Sequence, residues 1–256
     1  MSGARLEAAG GSHVGCVRKR NEDSYAVLPE LGLLMVADGI GGRPGGEVAS
    51  RMVVDAVRAC FEEDDPDETW PWAFDGTKDR DEARLVLSLR RANREILAAG
   101  RRAGMGGMGT TFAGVLVAAG GAYIAHAGDS RVYRLRGERL EALTRDHTVL
   151  EELLRQGSPS LEALGGIDEA IACRITRALG TEPSVDVETR VEAVEAGDVL
   201  LVCSDGLWGP VPADEIATTL AWSVSPQGIV AGLMGRALEH GGSDNVTCVV
   251  VRFGET

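Results

Sequence analysis

Short apolar runs of β type recur along the chain, and Gly, Asp or Asn bounds several of them. Such runs predict strands, and the polar residues between them predict turns. The segments are Val14–Val17, Tyr25–Leu28, Leu33–Ala37, Thr111–Ala118, Ala122–Ala127, Arg131–Arg136, Val185–Val191, Val199–Cys203 and Val246–Phe253. Tyr123–Leu143 reads as a meander with turns at Gly128-Asp129 and Gly137-Glu138. Two stretches change to helical spacing, Glu47–Phe61 and Glu82–Ala99. In the first, Val48, Met52, Val53, Ala56 and Ala59-Cys60 fall three and four apart and make one apolar face. Shorter helices are expected at Ala213–Trp222 and at Pro226–Glu239, where Pro stands at the helix start.

Helices that arrive in pairs, rather than one after each strand, argue against a doubly wound parallel sheet. They predict an antiparallel α+β layer arrangement. No fixed-period repeat or low-complexity linker divides the 256 residues, so one domain over 1–256 is expected. The run Glu62–Glu68 puts six carboxylates in seven residues and reads as a solvated loop.

Composition narrows the function classes. Lys and Arg number 26 against 39 Asp and Glu, a net charge of −13 that disfavours nucleic-acid and anionic-membrane partners. The five cysteines, Cys16, Cys60, Cys173, Cys203 and Cys248, are scattered, without a CxxC pair. That pattern fits reduced thiols in a cytoplasm, and the first residues lack a secretory signal pattern. Gly104 to Gly128 carries no formal charge over 25 residues, a length that could span a bilayer. Eight of those residues are Gly, which weakens a helix, so the stretch reads as a Gly-rich loop and two strands joined at Gly120-Gly121.

The candidate chemistry lies at the ends of the apolar runs. Asn21-Glu22-Asp23 precedes one strand, Asp38-Gly39 and Asp205-Gly206 follow two others, Asp244-Asn245 precedes the last, and Gly128-Asp129-Ser130-Arg131 lies between two. Singly, Asp-Gly is a common turn. Together these carboxylates would crowd one sheet edge and repel one another unless cations neutralise them. Oxygen ligands favour Mg²⁺ or Mn²⁺ over zinc.

These residues resemble the metal-dependent (PPM, or protein phosphatase 2C type) serine/threonine phosphatases of the bacterial branch. The resemblance runs in order through Arg18-Lys19-Arg20-Asn21-Glu22-Asp23-Ser24, Val36-Ala37-Asp38-Gly39-Ile40-Gly41-Gly42, Gly109-Thr110-Thr111 and Ala127-Gly128-Asp129-Ser130-Arg131. It continues through Thr144-Arg145-Asp146-His147-Thr148, Thr176-Arg177-Ala178-Leu179-Gly180, Cys203-Ser204-Asp205-Gly206-Leu207-Trp208 and Ser243-Asp244-Asn245-Val246.

What the resemblance implies is a four-layer α-β-β-α sandwich of two antiparallel sheets flanked by helix pairs. It also implies two core Mn²⁺ or Mg²⁺ ions and a third site of bacterial members. Asp38 resembles the carboxylate shared by the two cations, and the Gly39 carbonyl a ligand of the second. Asp205 and Asp244 match the remaining ligands of the first, and Glu22 the acid that holds second-site water. Asp129 matches a ligand of the third, shared with Asp205, and Arg18 the clamp on substrate phosphate. The implied reaction is hydrolysis of phosphoserine and phosphothreonine by a metal-activated water, by a cytoplasmic monomer acting on phosphoproteins and opposing a bacterial Ser/Thr kinase. Residues 146–175 correspond to a flap beside the active site that contacts protein substrates.

Ile40 departs from eukaryotic-type relatives, which carry a His there, so no side chain is assigned to protonating the leaving group. His147 reads as structural and Cys203 as a small core residue, since no Cys-x5-Arg loop surrounds it. Two further readings stay open: a phosphatase dedicated to one regulatory protein of a partner switch, and a catalytically dead binding module.

Overall fold

A computed structural model describes residues 6–40, 45–62, 79–119, 121–157 and 168–254. Ten strands form two antiparallel sheets of five. The first sheet orders β1 (Leu6–His13), β10 (Val246–Phe253), β9 (Val199–Cys203), β6 (Arg131–Arg136) and β7 (Arg139–Ala142). The second orders β2 (Asp23–Leu28), β3 (Leu33–Asp38), β4 (Phe112–Ala118), β5 (Gly121–Ala127) and β8 (Glu188–Glu192). Helices α1 (Gly46–Glu62) and α2 (Arg80–Arg102) cover the second sheet; α6 (Ala213–Leu220) and α7 (Pro226–Glu239) cover the first. Three short helices, α3 (Val149–Arg155), α4 (Glu169–Ala172) and α5 (Asp205–Trp208), sit in the connections.

This is the four-layer sandwich, and its strands show why they read as unbroken apolar runs. In β3, Leu33, Met35 and Ala37 face the helices while Leu34 and Val36 face the other sheet. In β10, Val246, Cys248 and Val250 lie under α7, and Val249, Val251 and Phe253 enter the middle layer. Both faces are buried, so polar alternation is lost.

Four expectations change. Val14–Val17 is a loop; the first strand is the preceding Leu6–His13, paired residue for residue with β10 from Leu6↔Phe253 to His13↔Val246. The sequence LEAAGGSH carries little strand propensity, but its bare backbone is what the packing uses. A Cβ at Gly10 would lie 2.7 Å from the Tyr25 ring, and one at Gly11 2.7 Å from Met234 Sδ. The meander is split: β5 and β6 lie in different sheets, and only the β6–β7 hairpin at Gly137-Glu138 remains. Gly128 makes that crossing at φ +112, with Thr111 against the position of a Cβ. Pairing of β8 starts only at Glu188, since Val185 and Val187 are buried in the core ahead of it. The helix expected to Trp222 ends at Leu220.

No helix among the described residues is long and apolar enough to cross a membrane, and Gly104–Gly128 folds as a loop followed by β4 and β5. Gly120 and most of the acidic run, residues 63–68, lie outside the described residues. So do residues 158–167 of the segment expected to form a flap. Its base is closed by Val149 N–H on the Arg174 carbonyl at 3.0 Å and Thr176 N–H on the His147 carbonyl at 2.8 Å.

Candidate metal centre and active site

The sandwich brings the polar ends of its strands to one edge. Asp23 opens β2 and stands directly across from Asp38, which closes β3. Asp205 follows β9 and Asp244 precedes β10, two antiparallel neighbours, so their turns meet. Gly206 has no room for a side chain because a Cβ would collide with the Asn245 carbonyl. Arg18, Glu22, Asp38, Gly39, Asp205 and Asp244 line one cavity of about 370 Å³ with Ile40, Thr111, Ile175 and Asn245. Asp129 lies apart from that group, in an adjoining cavity that Asp205 also lines.

Backbone bonds fix Asp38. Its N–H donates to Thr111 Oγ1 at 3.0 Å, and its carbonyl accepts from Thr111 N–H at 2.8 Å and Thr110 Oγ1 at 2.8 Å. Thr111 Oγ1 also meets Ser130 Oγ at 2.7 Å, which ties Asp38 to the turn carrying Asp129. Gly39 is wedged so that a Cβ would lie 2.5 Å from the Gly46 carbonyl and 2.6 Å from that of Glu22. A side chain there would push α1 away from the site.

The loop bearing Arg18 and Glu22 hangs on Asn245. Its Oδ1 accepts from Glu22 N–H at 2.8 Å, and its Nδ2 donates to the carbonyls of Val14 and Arg20, both at 2.9 Å. On the far side, Arg131 donates twice to Asp146, at 2.8 and 2.7 Å, and stacks 3.4 Å from the Trp208 ring. Trp208 in turn donates from Nε1 to the Asp129 carbonyl at 3.0 Å.

Electrostatics sets this edge apart. Burial, then repulsion from Asp23, Asp205 and Asp129, pushes Asp38 well above the usual carboxylate range. Burial and then Asp205 raise Asp129 to about 7. Burial raises Asp23 to about 6 against hydrogen bonds from Thr247 and Ser204, and burial also raises Asp205 and Glu22. Three of the four buried side-chain polar atoms without a partner among the described residues are Oδ1 of Asp23, Asp129 and Asp205. Unpartnered buried oxygens are expensive. An all-oxygen donor set of this kind fits hard divalent cations such as Mn²⁺ or Mg²⁺.

The sequence reading grouped Asp23 with its neighbours but assigned it no role, nor any to Asn245. For Asp23 the missed signal was strand register, since residues that oppose each other across β2–β3 share a face. For Asn245 the signal lies only in long-range backbone contacts.

Another cluster is geometrically close but chemically different. His126, His147 and Glu188 bring ligand atoms within 4.8 Å of one another. His126 Nε2 lies 2.7 Å from the Arg145 carbonyl, which can only accept, so that nitrogen carries the proton. Gly128 N–H donates to His147 Nδ1 at 3.1 Å, which leaves the His147 proton on Nε2, facing Glu188 at 3.3 Å. The nitrogen of His147 that faces Glu188 is thus a donor rather than a ligand, and the histidines act as structural spacers. All five cysteines are free; burial pushes Cys248 up to about 12 and Cys203 well above its ordinary value, as inert core thiols.

Comparison with known proteins decides the family. The family model for protein phosphatase 2C matches residues 10–225. The chain belongs to the protein phosphatase 2C family. It is therefore an enzyme of the metal-dependent phosphatase class. The serine/threonine phosphatase stp of Listeria monocytogenes serovar 1/2a is 33% identical over 247 residues, covering 93% of this chain and 92% of that protein. The Mycobacterium tuberculosis serine/threonine phosphatase PstP/Ppp superposes with a TM-score of 0.83 at 33% identity, over 98% of this chain and 99% of that one. A PstP catalytic domain in complex with two manganese ions gives a TM-score of 0.78 at 33% identity, over 98% of this chain and 99% of that one.

Proposed function

We propose that this phosphatase hydrolyses phosphoserine and phosphothreonine in proteins at a centre of two Mn²⁺ or Mg²⁺ ions, and that it opposes a bacterial Ser/Thr kinase. Asp38, Asp205, Asp244 and the Gly39 carbonyl would hold the pair with Glu22, and Asp129 with Asp205 a third cation. The observation that carries this reading is the convergence of five of these residues, with Arg18, on one cavity, beside buried carboxylate oxygens that lack a partner among the described residues. When bound, the cations supply Lewis acidity and an acidified water.

The chain's own groups do the rest. Arg18 presents a planar fork suited to two phosphoryl oxygens. Among the described residues, the only side-chain hydroxyl lining the smaller cavity belongs to Thr111, and it is engaged by Ser130 and the Asp38 N–H. With the carboxylates of the cavity taken up as cation ligands in this reading, attack on phosphorus falls to water, with no covalent intermediate on a side chain. Ile40 lines the same cavity and offers no proton. A dead binding module is disfavoured, because Asp38, Asp205 and Asp244 all stand at the site. Relatives named as serine/threonine phosphatases support the substrate class.

The test is hydrolysis of matched phosphothreonine and phosphotyrosine peptides with Mn²⁺, Mg²⁺ or EDTA. Expected are turnover of the phosphothreonine peptide with either cation, loss in EDTA, and slower use of phosphotyrosine. Undiminished turnover after exhaustive chelation would overturn the metal-centred reading.

A further inference from the structure

Beside the small cavity lies a larger one of about 780 Å³, within the size range of ligand sites. The two share Ile40, Ile175 and Asp205, so they are compartments of one depression. A peptide whose phosphate enters the first has a direct path for its flanking residues into the second. The larger compartment is walled by the segment Cys173–Ala178, with Thr181 and Glu182 beyond it.

Two arginines of that wall behave differently. Arg177 is committed, at 2.9 Å from Asp186 and 3.9 Å from Glu152. Arg174 lines the cavity, is exposed, and its guanidinium makes no hydrogen bond or ion pair among the described residues. Its backbone is nonetheless fixed: its carbonyl accepts from Val149 N–H at 3.0 Å and its N–H donates to the Ile171 carbonyl at 3.2 Å. An anchored backbone with a cation uncommitted among the described residues is a local site for an anion, set against the net negative charge of the chain. The carboxylates Asp129 and Asp205 that also line this compartment are the proposed cation ligands, and cations held there would cancel their repulsion of an incoming acid.

Given the phosphatase reading above, we infer that Arg174 is a specificity-determining residue that pairs with an acidic side chain flanking the phosphorylated residue of the substrate. The phosphate is held in the small compartment, and the neighbouring Glu or Asp of the same peptide reaches the Arg174 guanidinium. Ile175, common to both compartments, gives the intervening segment an apolar floor.

The experiment uses the full chain with Mn²⁺ and phosphothreonine peptides that differ at one flanking position, Glu, Ala or Lys, moved along either side. The readout is the ratio of kcat/KM for the Glu peptide over the Ala peptide within each enzyme preparation, so changes in overall activity divide out. The wild type is expected to favour Glu at one or more positions by about fivefold, the scale of one partly exposed charge pair. Arg174→Ala should bring that ratio to near one, and Arg174→Glu should move the preference to the Lys peptide. A wild-type ratio near one at every position, or an unchanged ratio in Arg174→Ala, would overturn the assignment. Failure of the wild type to hydrolyse any of the peptides would instead overturn the phosphatase reading, and the assignment with it.

Discussion

Arg18 donates from Nη2 to Oδ2 of Asp244 at 2.7 Å, joining the expected phosphate clamp to an expected cation ligand 226 residues away. Their side chains are 46% and 33% exposed, so the pair is screened by water and contributes at most about 1 kcal/mol. A link that weak can exchange for a phosphate without a large cost. Asp244 also keeps a second contact, since its Oδ1 accepts from the Asn245 N–H at 2.8 Å.

Arg18→Ala should therefore spare cation binding and impair substrate use. The expected loss in kcat/KM on a phosphoprotein is about a hundredfold, the scale of removing one charge-stabilising donor. Calorimetric titration with Mn²⁺ should give an affinity close to wild type, and abolished binding would contradict the division of roles.

For Asp38→Asn, turnover should fall by more than the roughly 10–100-fold typical of residues that act through a ligand. The neutral amide cannot balance two cations, although it keeps the shape of the site. Rates near wild type at saturating Mn²⁺ would remove Asp38 from the centre.

Asn245→Ala should unfasten the loop that carries Arg18 and Glu22. The Glu22 N–H and two backbone carbonyls lose their partner, at an expected cost of about 1–3 kcal/mol in denaturant unfolding. Turnover should fall together with stability. An unchanged unfolding midpoint would show that the loop is held by other contacts.

His147 supplies a pH signature outside the proposed ligands. Burial and then the neighbouring His126 lower it from 6.5 to about 4, so it is neutral in the folded protein near pH 7. The unfolded chain takes up that proton first on acidification. Its contribution is thus whole above the unfolded value and is lost as pH falls from about 6.5 towards 4, at about 1.4 kcal/mol per pH unit. Comparison with His147→Gln isolates this slope from that of the carboxylates. The wild-type advantage in urea unfolding should shrink steadily from pH 7 to 4.5, and a constant difference would show that the ring titrates normally.

A ring of four charges spans the far edge of the sandwich. Arg134 pairs with Glu141 at 2.9 Å and Glu192 at 2.8 Å, and Arg190 contacts the same two acids. The ring joins β6 and β7 of one sheet to β8 of the other. Its members come from β6, β7 and β8, so only the closed fold places all four together.

The chain itself determined the strands and helices whose apolar runs are long, because burial on both faces or on one helical face must be written into consecutive residues. It also marked Asp38, Asp205 and Asp244, since a charge at the end of a buried run stands out against its neighbours. Tertiary structure decided what local chemistry leaves open. β1 exists because β10 offers a full set of backbone partners and because Gly10 and Gly11 admit Tyr25 and Met234. β5 and β6 part into different sheets because Gly128 turns the chain across the sandwich at φ +112. Asp23 faces Asp38, and Asn245 fastens the Arg18 loop, through register and contacts that span the whole chain. Such pairings exist only once strands and loops distant in sequence have been brought side by side, so no window of neighbouring residues carries them.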